Sequence, residues 1–195
     1  MVTAVTGRAG EASDAEVIQQ SWQTPDSFSA LYDRYANLLY GYAYQRVGQI
    51  AEDLVADVFL AAFAQRHRYD VAHSSARPWL FGILTNKIAR RGRVERAHYR
   101  AYARAWQAPV TDGVDQLVAE RVSAQAHRAH LAAALCRLRP GDRNVLLLVA
   151  WGQLRYEEVA QAMGIPVGTV RSRLNRARRI VRQALTDTQR TETAR

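Results

Sequence analysis

The chain has 195 residues, 48% of them hydrophobic, and a formal net charge of +9 at pH 7. It contains no run of the roughly 20 apolar residues that a membrane-spanning helix needs and no N-terminal stretch of signal-peptide type, so we expect a cytoplasmic protein without membrane contact of its own. The single cysteine, Cys136, excludes an internal disulfide and a CxxC motif, and the positive balance favours a polyanionic partner.

The N-terminal part of the chain is predicted to be helical. Residues 1–13 carry no pattern and are expected to be disordered, whereas nearly all of 14–104 shows helical periodicity. One amphipathic stripe with spacings of three and four consists of Phe28, Leu31, Tyr32, Tyr35, Leu39, Tyr42 and Arg46. A second helix is predicted over 50–65, and the turn-forming residues of 68–78 predict a loop.

A third helix, predicted over 79–104, begins apolar and ends basic, with seven basic residues from Lys87 to Arg104 against Glu95 alone. Residues 105–118 contain Pro109 and Gly113 and are expected to form a linker. A second helical unit is predicted over 119–186, followed by an unstructured tail over 187–195. The predicted fold is therefore all-α, with two small helical domains joined by a flexible linker, the second with a helix-turn-helix.

The stretch "YEEVAQAMGIPVGTVRSRL" has the spacing of a helix-turn-helix. Ala160 is small where two helices must approach each other, and Gly164, four residues on, can adopt the positive φ that ends a helix. Pro166 can start the next helix, and Val170 is expected to pack inward. Together these four features predict a DNA-binding motif.

The helix after the turn is predicted to have one apolar stripe and one DNA-facing side. The stripe consists of Val170, Leu174, Ala177, Val181 and Leu185. The candidate DNA-binding residues on the remaining faces are Thr169, Arg171, Ser172, Arg173, Asn175, Arg176 and Arg179. Arg and Asn make bidentate contacts with guanine and adenine in the major groove. Arg178, Arg179 and Arg182 are expected to meet phosphates, and a merely solvated arginine face is the alternative interpretation.

The N-terminal half of the sequence narrows the choice among classes of DNA-binding protein. The segments "FSALYDRY" (28–35), "AEDLVADVFLAAF" (51–63), "RPWLFGILTNKIARRGR" (77–93) and "RPGDRNVLLLVAWGQLRYEEVAQAMGIPVGTVRSRLNRAR" (139–178) occur in the order typical of bacterial extracytoplasmic-function (ECF) sigma factors. The chain resembles this group over about 14–186. The resemblance implies a region 2 domain over 14–104, a linker, and a region 4 domain over 119–186 whose recognition helix reads the −35 promoter element.

The resemblance also implies contacts with core RNA polymerase. In this group the segment that matches 51–59 lies against the clamp of the β′ subunit. The implied contact residues are Asp53, Leu54, Val55, Asp57 and Phe59. The chain carries Ala56, Asp57 and Val58 where the group commonly has glutamine, glutamate and threonine.

The segment 77–93 matches the part of the family that opens the −10 element and holds the non-template strand. Aromatic surface and a basic path suit a released single strand. The implied residues are Trp79, Asn86, Lys87, Arg90, Arg91 and Arg93. Arg90 stands where many members have an aspartate, so the resemblance does not transfer a promoter preference.

The sequence disfavours two other classes of protein, an enzyme and a free-standing transcription regulator. An enzyme is disfavoured because the sequence shows no phosphate-binding glycine loop, no catalytic constellation and no metal site: His127 and His130 lack a third ligand, and no cofactor is implied. A regulator with a helix-turn-helix output would need a sensing or dimerisation domain where the chain instead resembles region 2. The expected partners are core RNA polymerase, promoter DNA and an anti-sigma factor.

Overall fold

The computed structural model describes residues 12–105 and 129–193, and every regular element within these ranges is helical. The first range contains α1 (Asp14–Gln20), α2 (Ser29–Val47), α3 (Ala51–Ala64), α4 (Arg77–Arg90) and α5 (Gly92–Ala105), with short 3-10 turns at Pro25–Phe28, Gly48–Ile50 and Arg66–Arg68. The second contains α6 (129–137), α7 (Pro140–Ala150), α8 (Tyr156–Met163) and α9 (Val167–Thr193). The predicted linker, 105–118, lies outside the described residues except for Ala105, which belongs to α5.

Two sequence predictions were wrong. The helix predicted over 79–104 is broken at Arg91, whose φ of −97° and ψ of 26° end α4, and α5 begins at Gly92. The tail predicted to be unstructured from 187 continues α9 as helix to Thr193. Gln189 and Arg190 have favourable helix propensities, and a polar composition does not by itself end a helix.

The first domain is a helical bundle in which α3 packs between α2 and α4. The apolar faces meet in a core that includes Leu31, Leu39, Leu54, Val58, Leu80 and Leu84, each fully buried. At its edge Asp14 of α1 accepts hydrogen bonds from Tyr35 Oη at 2.5 Å and from the Ala76 backbone N–H at 2.7 Å. Arg34 pairs with the same carboxylate at 2.8 Å. This one buried carboxylate therefore fixes α1, α2 and the start of α4 relative to one another.

The second domain is built on α9, which packs against both α7 and α8. The predicted stripe is confirmed at Val170, Leu174 and Ala177, all of which are buried in the core with Leu147 and Val159. The hydrophobic burial of this stripe holds the long helix in place although six arginines lie between positions 171 and 182.

The two domains contact each other directly, which the sequence did not predict. Helix α4 of the first domain lies against α8 of the second, and α4 also contacts α7. Arg77 Nη2 donates to the carbonyl oxygen of Gly152 at 2.7 Å across this boundary. In the described residues the apolar clusters of the two domains are continuous.

Candidate nucleic-acid and polymerase interfaces

The helix-turn-helix is formed by α8, the turn 164–166 and α9. Glu158 accepts a hydrogen bond from the Arg155 backbone N–H at 2.7 Å and so caps the start of α8. Gly164 ends α8 at φ 62° and ψ 39°, in the left-handed region, and the N–H of Ile165 bonds back to the carbonyl of Ala160 at 3.0 Å. The predicted positive φ of Gly164 and the inward packing of Val170 are thus both present.

The side of α9 turned away from its core carries exposed polar residues. Arg171, Ser172, Asn175 and Arg179 are exposed, while Thr169 is half-buried. Ser172 Oγ donates to the carbonyl of Thr169 at 3.0 Å, one turn back along the helix. The surface therefore offers an amide, a hydroxyl and guanidinium groups along a straight helix, as major-groove readout requires.

Two of the candidate arginines on α9 are not free. Arg176 Nη1 lies 3.3 Å from both carboxylate oxygens of Asp142, a residue in the first turn of α7 that is only 2% exposed. The guanidinium of Arg173 lies over Gly141, where an added Cβ would come within 2.9 Å of it. The helical wheel placed Arg176 opposite the apolar stripe but could not show that α7 reaches this side of α9.

The polar and basic residues implied for DNA contact on α4, Arg91 and the start of α5 divide into two groups. Asn86, Arg90 and Arg93 are exposed. Lys87 and Arg91 instead face Asp57 of α3, at 3.9 Å and 3.2 Å. An implied polymerase contact and two implied DNA contacts are therefore brought together as one surface ion-pair cluster.

Trp79 is half-buried, and its ring packs on Tyr69 with 5.0 Å between ring centroids. The side chain thus contributes to the packing of the loop before α4. Its remaining exposed edge is the part that is available to a nucleobase.

The residues implied for polymerase binding differ widely in accessibility. Asp53 is exposed and Asp57 is half-buried, whereas Val55 and Phe59 are buried. Leu54 is fully buried in the first domain's core, so its implied role as a contact residue is corrected: it positions α3.

An apolar groove beside α3 is accessible from solvent, whereas Leu54 is not. It lies between α2 and α3, has a volume of about 690 Å³, and is lined by Phe28, Tyr32, Phe59, Leu60 and Phe63 among others. Leu60 is 69% exposed, and the rings of Tyr32 and Phe59 pack 4.9 Å apart. Leu60 is not among the residues that the sequence implied for polymerase binding, although it lies off the Leu54–Val58 face of α3.

Comparison with known proteins agrees with this geometry. A model of sigma-70 region 2 matches residues 31–98, which lie within the first domain, and a model of sigma-70 region 4 matches residues 128–181, which contain the helix-turn-helix. The sigma factor CarQ of Myxococcus xanthus is 30% identical over 82% of this chain and 90% of its own. The ECF sigma factor SigW of Bacillus subtilis is 27% identical over 83% of this chain and 90% of its own. The chain belongs to the ECF sigma factors.

The fold also has solved relatives. The sigma factor RpoE of Bartonella quintana, in a co-crystal structure with the anti-sigma factor NepR, matches 82% of this chain and 96% of its own, with a TM-score of 0.54 and 24% identity. This likeness concerns the fold alone. As a sigma factor, the chain acts with core RNA polymerase in promoter-specific transcription initiation. Within the described residues no helix is long and apolar enough to cross a membrane.

Proposed function

We propose that α9 of this sigma factor reads the −35 element in the major groove. The observation that carries the proposal is the one-sided burial of the helix: Val170 and Leu174 are packed inward while Ser172 and Asn175 are exposed behind the left-handed turn at Gly164. Asn175 and Arg176 supply the base-reading chemistry, and Arg179 and Arg182 supply phosphate contacts further along the helix.

The −10 element is opened by the first domain in this proposal. Asn86, Arg90 and Arg93 form the exposed part of the path for the non-template strand, and Lys87 and Arg91 join it through the cluster around Asp57. Asp57 neutralises part of this basic surface, so DNA phosphates compete with Asp57 for the side chains of Lys87 and Arg91.

Core RNA polymerase binds the outer face of α3 and the apolar groove next to it. Asp53 and Leu60 are the exposed anchors, and the ring of Phe59 forms the groove wall. An interface that combines an apolar centre with an acidic rim is typical of protein–protein contacts. The chain acts in the cytoplasm, where it directs the polymerase to promoters while the polymerase itself carries out phosphodiester synthesis. Its regulator is an anti-sigma factor.

The test is reconstituted transcription. Purified protein is added to sigma-free core polymerase on a library of genomic fragments, and transcription start sites are mapped at several salt concentrations. Defined start sites that depend on the protein are expected, with binding that falls by about 0.9 log units per log unit of salt for each phosphate contact.

A matched pair of variants tests the reading helix. Asn175→Ala should change which −35 sequences are used, whereas Gln161→Ala, an exposed change on α8 outside the reading face, should not. Footprinting of duplex DNA by the protein alone, without initiation in the presence of core, would instead favour a free-standing regulator.

A further inference from the structure

Two aromatic rings, those of Trp22 and His67, lie together on the surface of the first domain and belong to none of the candidate interfaces. Their centroids are 5.7 Å apart and their planes are inclined at 32° to each other. Trp22 is 40% exposed, and His67 is exposed as well. The indole therefore has one aromatic neighbour and keeps an accessible surface on which a further ring can stack.

The guanidinium of Arg66 fixes the position of this pair. Its Nε donates to the carbonyl oxygen of Ser21 at 3.3 Å, and its Nη1 donates to that of Phe63 at 2.8 Å. Because Ser21 directly precedes Trp22 and Arg66 directly precedes His67, these bonds hold the two segments against each other. A surface that is ordered in advance loses little conformational entropy when a ligand binds.

Positive charge accompanies the rings. Arg68 is exposed and directly follows His67. The nearest carboxylate in sequence, Asp70, is occupied within its own loop: Oδ1 accepts from the Ala72 backbone N–H at 3.0 Å, and Oδ2 lies 3.7 Å from Nε2 of His73. Exposed aromatic surface next to a guanidinium suits single-stranded nucleic acid, whose bases stack and whose phosphates pair with the cation.

The rings lie beyond the start of α4, at one end of the strand path proposed for that helix. Trp79, Asn86 and Arg90 are separated by seven and four residues and therefore share one face of α4. This face is about 16 Å long at ~1.5 Å per residue. At its start Trp79 packs on Tyr69, which is two residues from His67. The path thus leads from Arg90 to the segment that carries His67.

We infer that Trp22 is a stacking platform for an unpaired base of the non-template strand just downstream of the −10 element, with Arg68 pairing with a neighbouring phosphate. The inference rests on the proposed function of α4. In that proposal the chain runs from the end of α4 through α5 to the domain that reads the upstream −35 element, so the start of α4 is its downstream end. The contact forms only after the strands separate, and it stabilises the open promoter.

The polymerase is the other candidate occupant of this surface, because Phe63 also lines the apolar groove proposed for core binding. However, Cζ of Arg66 lies 3.9 Å from the centroid of the Phe63 ring, so a charged group rather than apolar surface adjoins Trp22 on this side. Protein interfaces are depleted of charge at their centres. The chemistry therefore favours the nucleic acid strand.

The experiment measures how the holoenzyme binds forked promoter DNA. A duplex taken from a promoter mapped in the reconstituted transcription continues from its −10 element as a single-stranded non-template overhang, which carries an abasic site at one position at a time. Full-length parent, Trp22→Ala and Trp22→Phe are each assembled with core polymerase. Tyr44→Ala is the matched control, because Tyr44 is 45% exposed and its ring lies 5.8 Å from that of Tyr40, inclined at 29°.

One overhang position is expected at which an abasic site weakens binding by the parent holoenzyme roughly fivefold to a hundredfold, the range of base–aromatic stacking. Trp22→Ala should weaken binding of the intact overhang by a similar factor and should be insensitive to that abasic site. Trp22→Phe keeps a stacking surface and should retain most of the affinity. Tyr44→Ala should behave as the parent, and every variant should bind core polymerase alone with the parent's affinity.

A second variant keeps the test independent of folding at Trp22. Arg68→Ala changes an exposed side chain, and it should reduce the slope of log affinity against log salt by about 0.7, the value for one phosphate contact on a single strand. An unchanged slope would remove Arg68 from the contact and overturn that part of the inference.

Full affinity of Trp22→Ala for the intact overhang would overturn the platform, as would a loss that persists at every abasic position. Weaker binding of Trp22→Ala to core polymerase without DNA would assign the surface to the polymerase instead. Both results leave the proposed function intact. A parent holoenzyme that binds the forked DNA no more tightly than the blunt duplex would count against the proposed role of α4 itself.

Discussion

Arg176 of the recognition helix donates from Nη1 towards both carboxylate oxygens of Asp142, at 3.3 Å each. Asp142 is 2% exposed, whereas the Arg176 side chain is 43% exposed. The carboxylate of this ion pair is thus buried inside the second domain, whereas the guanidinium lies on the surface that faces DNA in the proposed function. The pair fixes the direction of the guanidinium before DNA arrives, which lowers the conformational entropy lost on binding.

Asp142→Asn should therefore reduce discrimination at the −35 element without removing the arginine. Arg176→Ala is expected to cost roughly 1–3 kcal/mol at a cognate −35 site if the guanidinium reads a base, and Asp142→Asn should cost a part of this. The measurement is competition between the cognate duplex and single-base variants for binding to the reconstituted holoenzyme. Arg182→Ala is the control, since loss of a phosphate contact weakens all sequences alike. Equal weakening by Asp142→Asn across every duplex would show that the pair has no part in readout.

The turn of the helix-turn-helix should be sensitive to a single methyl group. Gly164 has φ 62° with open space around its Cβ position, so Gly164→Ala introduces backbone strain without a clash. We expect it to lower the free energy of unfolding by about 1–2 kcal/mol. Gly168 lies in the first turn of α9, also with open space around it, and Gly168→Ala should be neutral or stabilise by up to ~1 kcal/mol. Urea unfolding of the two variants, without DNA, makes the comparison.

The groove between α2 and α3 should respond to charge at its exposed rim. Leu60→Asp places a carboxylate where an apolar contact with core polymerase is proposed, and the 69% exposure of Leu60 leaves the fold intact. Binding to core should weaken at least about tenfold, because a carboxylate replaces an exposed apolar anchor that the polymerase would bury. Val71→Asp, at a 37% exposed loop position, is the matched control. The readout is affinity for sigma-free core by fluorescence anisotropy, and equal effects of the two changes would place the contact elsewhere.

The local features of the second domain could be predicted from sequence because each depends on near neighbours. The left-handed Gly164 and the inward Val170 follow from turn chemistry and helical periodicity within fifteen residues. The break at Arg91 was missed because a basic run continues through it. Periodicity placed Arg46 on the inward stripe of α2 but could not supply its partners, since Glu95 and Asn144 lie 49 and 98 residues away in sequence.

The candidate site shows the same limit. Periodicity placed Asn175 and Ser172 correctly on an exposed face, because exposure on α9 is set by its own stripe. It could not place Asp142 beside Arg176, nor Asp57 beside Arg91, because these pairs join different helices. The resemblance of 51–59 to the family's motif implied that Leu54 contacts the polymerase. Packing between α2 and α4 instead buries its side chain completely.

The carboxylate that joins α1, α2 and α4 should make the first domain sensitive to alkali. Burial, followed by the hydrogen bond to Asp14, raises the pKa of Tyr35 from 10.0 to about 12. Because the pKa in the folded state is the higher one, this contribution to stability is complete below pH 10 and is lost as the pH rises through 12. Two pKa units correspond to roughly 2–3 kcal/mol, and solvent screening of this half-buried side chain keeps its contribution below that limit.

Tyr35→Phe should therefore lower the free energy of unfolding at pH 8, through loss of the 2.5 Å hydrogen bond, and flatten its decline between pH 10 and pH 12. Tyr44→Phe, at a 45% exposed position stacked on Tyr40, should keep the parent's decline. Urea unfolding followed by circular dichroism at pH 8, 10 and 11.5 gives the three slopes. If Tyr35→Phe declines as steeply as the parent, the alkaline sensitivity arises from other buried tyrosines such as Tyr42 and Tyr99, whose pKa values burial also raises.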